Sequence, residues 1–252
     1  MTRVLSGVAM AAAALAAIVF LPPIALRVLA CLVAALAARE YLKLVGAGEG
    51  HLAGVVIVCW IVSTGSITAL ATAPLVTLAL ALFGALLWNG SAPRAIVGAF
   101  STLYIGVPLG MLAAVHGRTG WRGTLLLIAT VIVSDSLQFY TGRMFGKRPL
   151  APAISPKKTV EGAVGGSVAG TLFMMLAGPL VFPGNAPLGL AFLGVVMVIL
   201  GIAGDLFESR LKREAHVKDS SALIPGHGGV LDRIDALLLA TPAFAVYLSI
   251  IQ

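Results

Sequence analysis

The sequence predicts an all-α, polytopic transmembrane helical bundle of about nine spans with its N-terminus in the cytoplasm. Three observations predict it. Of the 252 residues, 59% are hydrophobic and the mean hydropathy is +1.03. Charged residues make up 11%, whereas a soluble domain carries about 25%. Apolar runs long enough to cross a bilayer recur along the whole chain, separated by short polar breaks.

In order, the runs fall at about 4–21, 24–44, 52–70, 73–89, 95–115, 122–141, 162–182, 187–209 and 232–251. The first could be read as a secretory leader, but its length and the equal runs behind it make it a span that exits at Pro22-Pro23. The third and fourth are parted only by Thr72, Ala73 and Pro74, so eight or nine is the expected range. Residues 1–120 are expected to form an N-terminal set of about five spans, and 121–252 a C-terminal catalytic region with two charged loops.

The 17 basic residues test the topology. With nine spans and an inner N-terminus, 14 of them fall on the cytoplasmic side, while Arg27, Arg118 and Arg122 fall outside. That is the asymmetry of the positive-inside rule. It also accounts for the net charge of +7 without nucleic acid, since no recognition module accompanies the charge. Cys31 and Cys59 lie in apolar runs and are too few for a disulfide framework. Ten of the basic residues lie in two inner loops, about Gly142–Glu161 and Ser209–Asp232 or at their edges. Chemistry is therefore expected on the cytoplasmic face.

Asp205 and Glu208 are spaced to share a helical face at the end of the eighth run. A carboxylate behind the apolar run Val195–Ala203 is costly unless a cation or metal pairs with it. Asp205 is either a ligand or the partner of Lys212 or Arg213. Next come Lys218-Asp219 and Gly226-His227-Gly228-Gly229, a loop whose backbone N–H groups can approach a phosphate. His227 either positions a phosphate or takes part in proton transfer, or it only caps the loop. Asp232 and Asp235 share a face at the start of the last run, beside Arg233. Acids at a helix N-terminus suit the dipole. Several of them beside a basic loop also resemble a Mg²⁺–polyphosphate site, because Mg²⁺ takes hard oxygen ligands.

In the other loop, Ser155-Pro156-Lys157-Lys158-Thr159-Val160-Glu161-Gly162 is expected to open a helix at Ser155. Its two lysines form either an anion site or an ordinary interfacial cap. Gly162, Gly166 and Gly170 recur at four-residue spacing, a close-packing face between membrane helices. Asp135, within the sixth run, is functional by default. No G-x-x-x-x-G-K-[ST] or H-E-x-x-H is present.

The run from Ser209-Arg210-Leu211-Lys212-Arg213 through Lys218-Asp219 to Pro225-Gly226-His227-Gly228-Gly229-Val230-Leu231-Asp232-Arg233-Ile234-Asp235 resembles the signature of CDP-diacylglycerol synthases, or phosphatidate cytidylyltransferases. Ser155–Gly162 and Gly142-Arg143-Met144-Phe145-Gly146-Lys147 resemble the same family. Gln138-Phe139 departs from the Ala-Tyr found in many members. The resemblance implies transfer of CMP from CTP to phosphatidate, giving CDP-diacylglycerol and pyrophosphate. It further implies Mg²⁺ on Asp205 and Asp232, a second, monovalent cation, a homodimer, and a multi-pass place in the cell membrane. Lys212, Arg213, Lys218, Asp219 and His227 are the expected companions of the metal pair. Ser155, Lys157, Lys158, Thr159, Glu161, Asp135, Arg143, Glu208, Gly226, Gly228, Gly229, Arg233 and Asp235 are expected to hold substrates. Another CTP-dependent lipid enzyme, either a prenyl-ether lipid cytidylyltransferase or a polyprenol kinase relative, and a cation-coupled transporter using Asp135 and Asp205, are the alternatives.

Overall fold

The structure, a computed structural model, describes residues 2–65, 93–224, 226 and 228–251. The expected fourth span and the end of the third lie outside the described residues, as do Pro225 and His227.

Helices dominate. α1 (Thr2–Phe20) and α2 (Pro23–Leu44) meet at the proline pair, with Pro23 in the first turn of α2, where its missing N–H costs nothing. α3 (Leu52–Ser63) and α4 (Arg94–Ser101) follow, and a π-helical segment, Thr102–Gly106, leads into α5 (Val107–Phe145). Gly120, with φ +65°, breaks α5 where the sequence separates its fifth and sixth runs. A short hairpin pairs β1 (Pro149–Ala151) antiparallel to β2 (Ser155–Thr159). Then come α6 (Val160–Ala177), α7 (Pro187–Glu214) and α8 (Leu231–Ile251).

Among the described residues, four helical stretches are long and apolar enough to cross a membrane: Arg94–Phe145, Val160–Leu180, Pro187–Glu214 and Leu231–Ile251. Their outer faces carry exposed Ile132, Val164, Leu176, Leu188, Phe192 and Ile199. Such a surface is costly in water and ordinary in hydrocarbon.

One expectation is corrected. Ser155 does not open a helix: Ser155–Thr159 is a strand, and α6 starts at Val160. The residues facing β1 offer a partner ladder, and Thr159 is the better cap because its Oγ1 accepts the Gly162 N–H at 3.1 Å. Val160 N–H also donates to Arg148 O at 2.9 Å, tying the helix start to the hairpin.

Glycines set the helix spacing. A Cβ on Gly162 would lie 2.7 Å from Gln138 O, and one on Gly166 would lie 2.7 Å from Ser134 O. α6 therefore rests directly on the backbone of α5, as the four-residue spacing predicts. Gly204 does the same for α7 against α8, its missing Cβ falling 2.5 Å from Asp235 O.

The core mixes early and late helices. Tyr41 of α2 donates to Val97 O at 3.0 Å. Tyr104 stacks on Phe100 and meets Phe207 of α7 edge-on. Leu211, Leu231 and Leu238 join the same buried cluster.

Candidate active site

The ends of five elements converge. The C-terminal part of α5 presents Asp135, Gln138, Phe139, Gly142 and Arg143, spaced by one helical turn so that they share a face. β2 brings Lys157 and Lys158, α7 brings Asp205 and Lys212, the α7–α8 loop brings Asp219, and α8 brings Asp232, Arg233 and Asp235. Together they line a cavity of about 570 Å³.

Acids and bases alternate around it. Lys158 forms an ion pair with Asp205, whose other oxygen is 3.3 Å from Ser209 Oγ. The partner of Asp205 is thus a lysine of the hairpin, neither Lys212 nor Arg213. Lys212 donates to Asp232 Oδ1 at 2.6 Å and also pairs with Glu208, which is fully buried behind the cavity. Asp135, Asp205 and Asp235 line the same cavity, where like charges repel. Mutual repulsion of half-buried carboxylates favours any cation that enters.

Asp232 is held most firmly. Its Oδ2 accepts from Ser220 N at 2.8 Å, Ser220 Oγ at 2.7 Å and Gly229 N at 2.8 Å. The loop that supplies these donors begins where α7 stops. His216, with φ +56°, ends the helix, and Val217 N–H closes back onto Lys212 O at 2.9 Å. Gly226 and Gly228 have φ of +77° and +81°, and Ile224 N–H donates to Gly228 O at 2.8 Å, which makes a tight turn. A Cβ on Gly228 would lie 2.7 Å from Asp232 Oδ2, so glycine is what lets this turn press against the carboxylate.

Other expected site residues sit around the cavity without lining it. Glu161 accepts from Lys147 N at 3.0 Å, Arg148 N at 3.1 Å and Arg148 Nε at 3.1 Å, and so fastens the hairpin to α6. Arg213 reaches Ile154 O at 3.3 Å and Val217 O at 3.5 Å, bracing the hairpin tip. Ser155 lies in β2 and Thr159 caps α6. Lys218 is exposed, and Gly226, Gly228 and Gly229 shape the loop. His227 lies outside the described residues. At the departure Gln138-Phe139, Gln138 is buried while Phe139 is exposed at the cavity edge.

Sequence reasoning missed Glu40. This buried residue of α2 accepts from Ser220 Oγ at 3.0 Å, Ser221 Oγ at 2.6 Å, Val230 N at 3.1 Å and Leu231 N at 2.8 Å. Its signal was a carboxylate inside an apolar helix, obscured by neighbouring Arg39 and Lys43. Arg39 pairs instead with Glu49.

Among the described residues no three His, Cys, Asp or Glu side chains are grouped to hold a metal by themselves. The carboxylates of the cavity are hard oxygen donors, matched to an ion that takes one or two of them and completes its shell with phosphate and water.

Comparison with known proteins finds relatives of one family. A phosphatidate cytidylyltransferase of Haemophilus influenzae is 38% identical over 169 residues, covering 64% of this chain and 59% of its own length. Those of Aquifex aeolicus and Pseudomonas aeruginosa are 42% identical over 120 residues and 41% over 142. These alignments cover 48% and 51% of this chain, and 44% and 52% of the relatives. The chain thus spans about half the length of the curated relatives it matches. The cytidylyltransferase family model matches residues 1–251, and the chain belongs to that family.

Proposed function

We infer that the protein transfers CMP from CTP to phosphatidate, yielding CDP-diacylglycerol and pyrophosphate with the help of Mg²⁺. The observation that carries this reading is the cavity at the helix ends. Five aspartates and five lysines or arginines line one space of about 570 Å³ in a chain whose outer surface suits lipid.

The chemistry asks little of a general base. A phosphatidate oxygen is already an anion. It attacks the α-phosphorus of CTP, the new P–O bond forms, and the bond to the β-phosphate breaks with its electrons leaving on pyrophosphate. The barrier lies in bringing two polyanions together and in stabilising the leaving group, so positioning and neutralisation are most of the catalysis. Lys157, Lys158, Lys212, Arg143 and Arg233 supply positive charge around the cavity. The backbone at Gly226 and Gly228 would approach the triphosphate, while the Gly229 N–H is already given to Asp232. Asp205 and Asp232 would hold Mg²⁺, which supplies charge neutralisation for the phosphates when bound. Asp219 and Asp235 lie beside them, and a monovalent ion is part of the same reading.

The reading includes nine spans, a cytoplasmic N-terminus, a homodimer and an active site facing the cytoplasm. Acyl chains stay in the bilayer while the headgroup reaches the cavity from its rim, where Phe139 is exposed. The test is purified protein with labelled CTP, phosphatidate and Mg²⁺. Nucleotide label should pass into the lipid phase with release of pyrophosphate. Label that stays aqueous with diacyl phosphatidate, yet enters ether-linked phosphatidate, would reassign the lipid. No transfer to either would end the reading.

A further inference from the structure

We propose that Glu40 of α2 is a positioning residue that closes the α7–α8 loop into a ring and so shapes the triphosphate side of the cavity. The inference rests on the cytidylyl-transfer reading for its kinetic part and on geometry alone for its structural part.

Ser220 and Ser221 stand at the start of the loop, and Val230 and Leu231 at its end. All four lie within hydrogen-bond distance of the one Glu40 carboxylate, at 3.0, 2.6, 3.1 and 2.8 Å respectively. An ionised carboxylate has about four acceptor positions, so its capacity is filled by the two ends of a single loop. Glu40 is 5% exposed, and among the described residues no lysine or arginine forms an ion pair with it. A charge so buried is tolerable only because of these donors. Two of them are N–H groups at the start of α8, where the helix dipole favours an anion.

The ring bears directly on the site. Ser220 Oγ also lies 2.7 Å from Asp232 Oδ2, and its single proton serves one carboxylate at a time. A Cβ on Gly229 would collide with Glu40 and Ser220, so the Gly-rich turn is packed onto the clamp itself. Between the tied points lies the turn at Gly226 and Gly228, and Asp219, at the cavity wall, directly precedes the tied Ser220. An N-terminal helix thereby holds the loop that faces the substrate phosphates.

Glu40→Gln keeps the shape but replaces one acceptor oxygen by an NH₂ group, which faces donors that it cannot satisfy. Backbone hydrogen exchange over residues 218–231 should then quicken by about tenfold, the loss expected for a charged hydrogen bond. The KM for CTP should rise by about tenfold with the KM for phosphatidate within about twofold of wild type. Ser221→Ala removes one donor and should move both readouts the same way by less. It serves as the judge if Glu40→Gln does not fold. Unchanged exchange in both variants, or an equal loss toward both substrates, would overturn the clamp. A wild-type protein inactive with CTP and phosphatidate would overturn the functional reading instead, leaving the exchange comparison to decide the clamp.

Discussion

Asp232 shows how one side chain serves two demands. Its Oδ2 is committed to Ser220 and Gly229, whereas Oδ1 faces Lys212 across the cavity wall. Asp232→Asn can keep its carbonyl oxygen on the loop, but its NH₂ then meets the Lys212 ammonium. Such a variant should insert and run as a single species in detergent while CTP-dependent transfer falls by about a hundredfold or more. Near-normal turnover in micelles would remove Asp232 from the chemistry. Lys157 and Lys158 are neighbours in sequence with unequal places. Both line the cavity, yet Lys158 also pairs with Asp205. Lys158→Ala should lower transfer by about tenfold, the scale of one charge-assisted contact, and Lys157→Ala by less. Equal effects would show that the pairing with Asp205 is immaterial.

At the scale of elements, the α5–α6 contact is made by absence of side chains. Gly162, Gly166 and Gly170 are buried on α6; the backbone of α5 occupies the space that side chains at Gly162 and Gly166 would fill, and Val198 of α7 occupies that at Gly170. Since Gln138 and Gly142 lie on that same stretch of α5, the contact also places the cavity-lining face. Gly166→Leu should therefore destabilise by about 1–3 kcal/mol or more, because overpacked cores force backbone shifts. The measurement is the melting temperature of the detergent-solubilised protein, and an unchanged value would show that the two helices can part freely. The hairpin plays a different part. Glu161 and Thr159 hold its base while Arg213 reaches its tip, and its strand points two lysines at the cavity.

Across the whole molecule, the C-terminal ends of α2, α5 and α7 and the N-terminal ends of α6 and α8 meet at one region. A lipid-embedded chain can gather charge only where helices leave the hydrocarbon, since ionisable groups at its centre are expensive. The topology proposed above from the positive-inside rule would put this region on the cytoplasmic side. In cells, Lys218→Cys should react with a membrane-impermeant maleimide only after the inner face is opened, and Arg118→Cys from outside. The native Cys31 and Cys59 are buried and should stay silent. Labelling of Lys218→Cys in intact cells would invert the topology.

The amino-acid sequence alone established the helical membrane class, the breaks at Pro22-Pro23 and between residues 115 and 122, and the glycine seam on α6. These are local properties: hydrocarbon demands long apolar helices, and close helix contact demands small residues at four-residue spacing. The motif residues Asp205, Lys212, Asp219, Asp232 and Asp235 were also legible, because they sit close together in the chain. Only tertiary structure decided that Lys158 pairs with Asp205, that Ser155 belongs to a strand, and that Glu40 closes a loop some 180 residues away. Each of those depends on which distant backbone groups are left needing a partner when the helices pack, and no local pattern of residues carries that information.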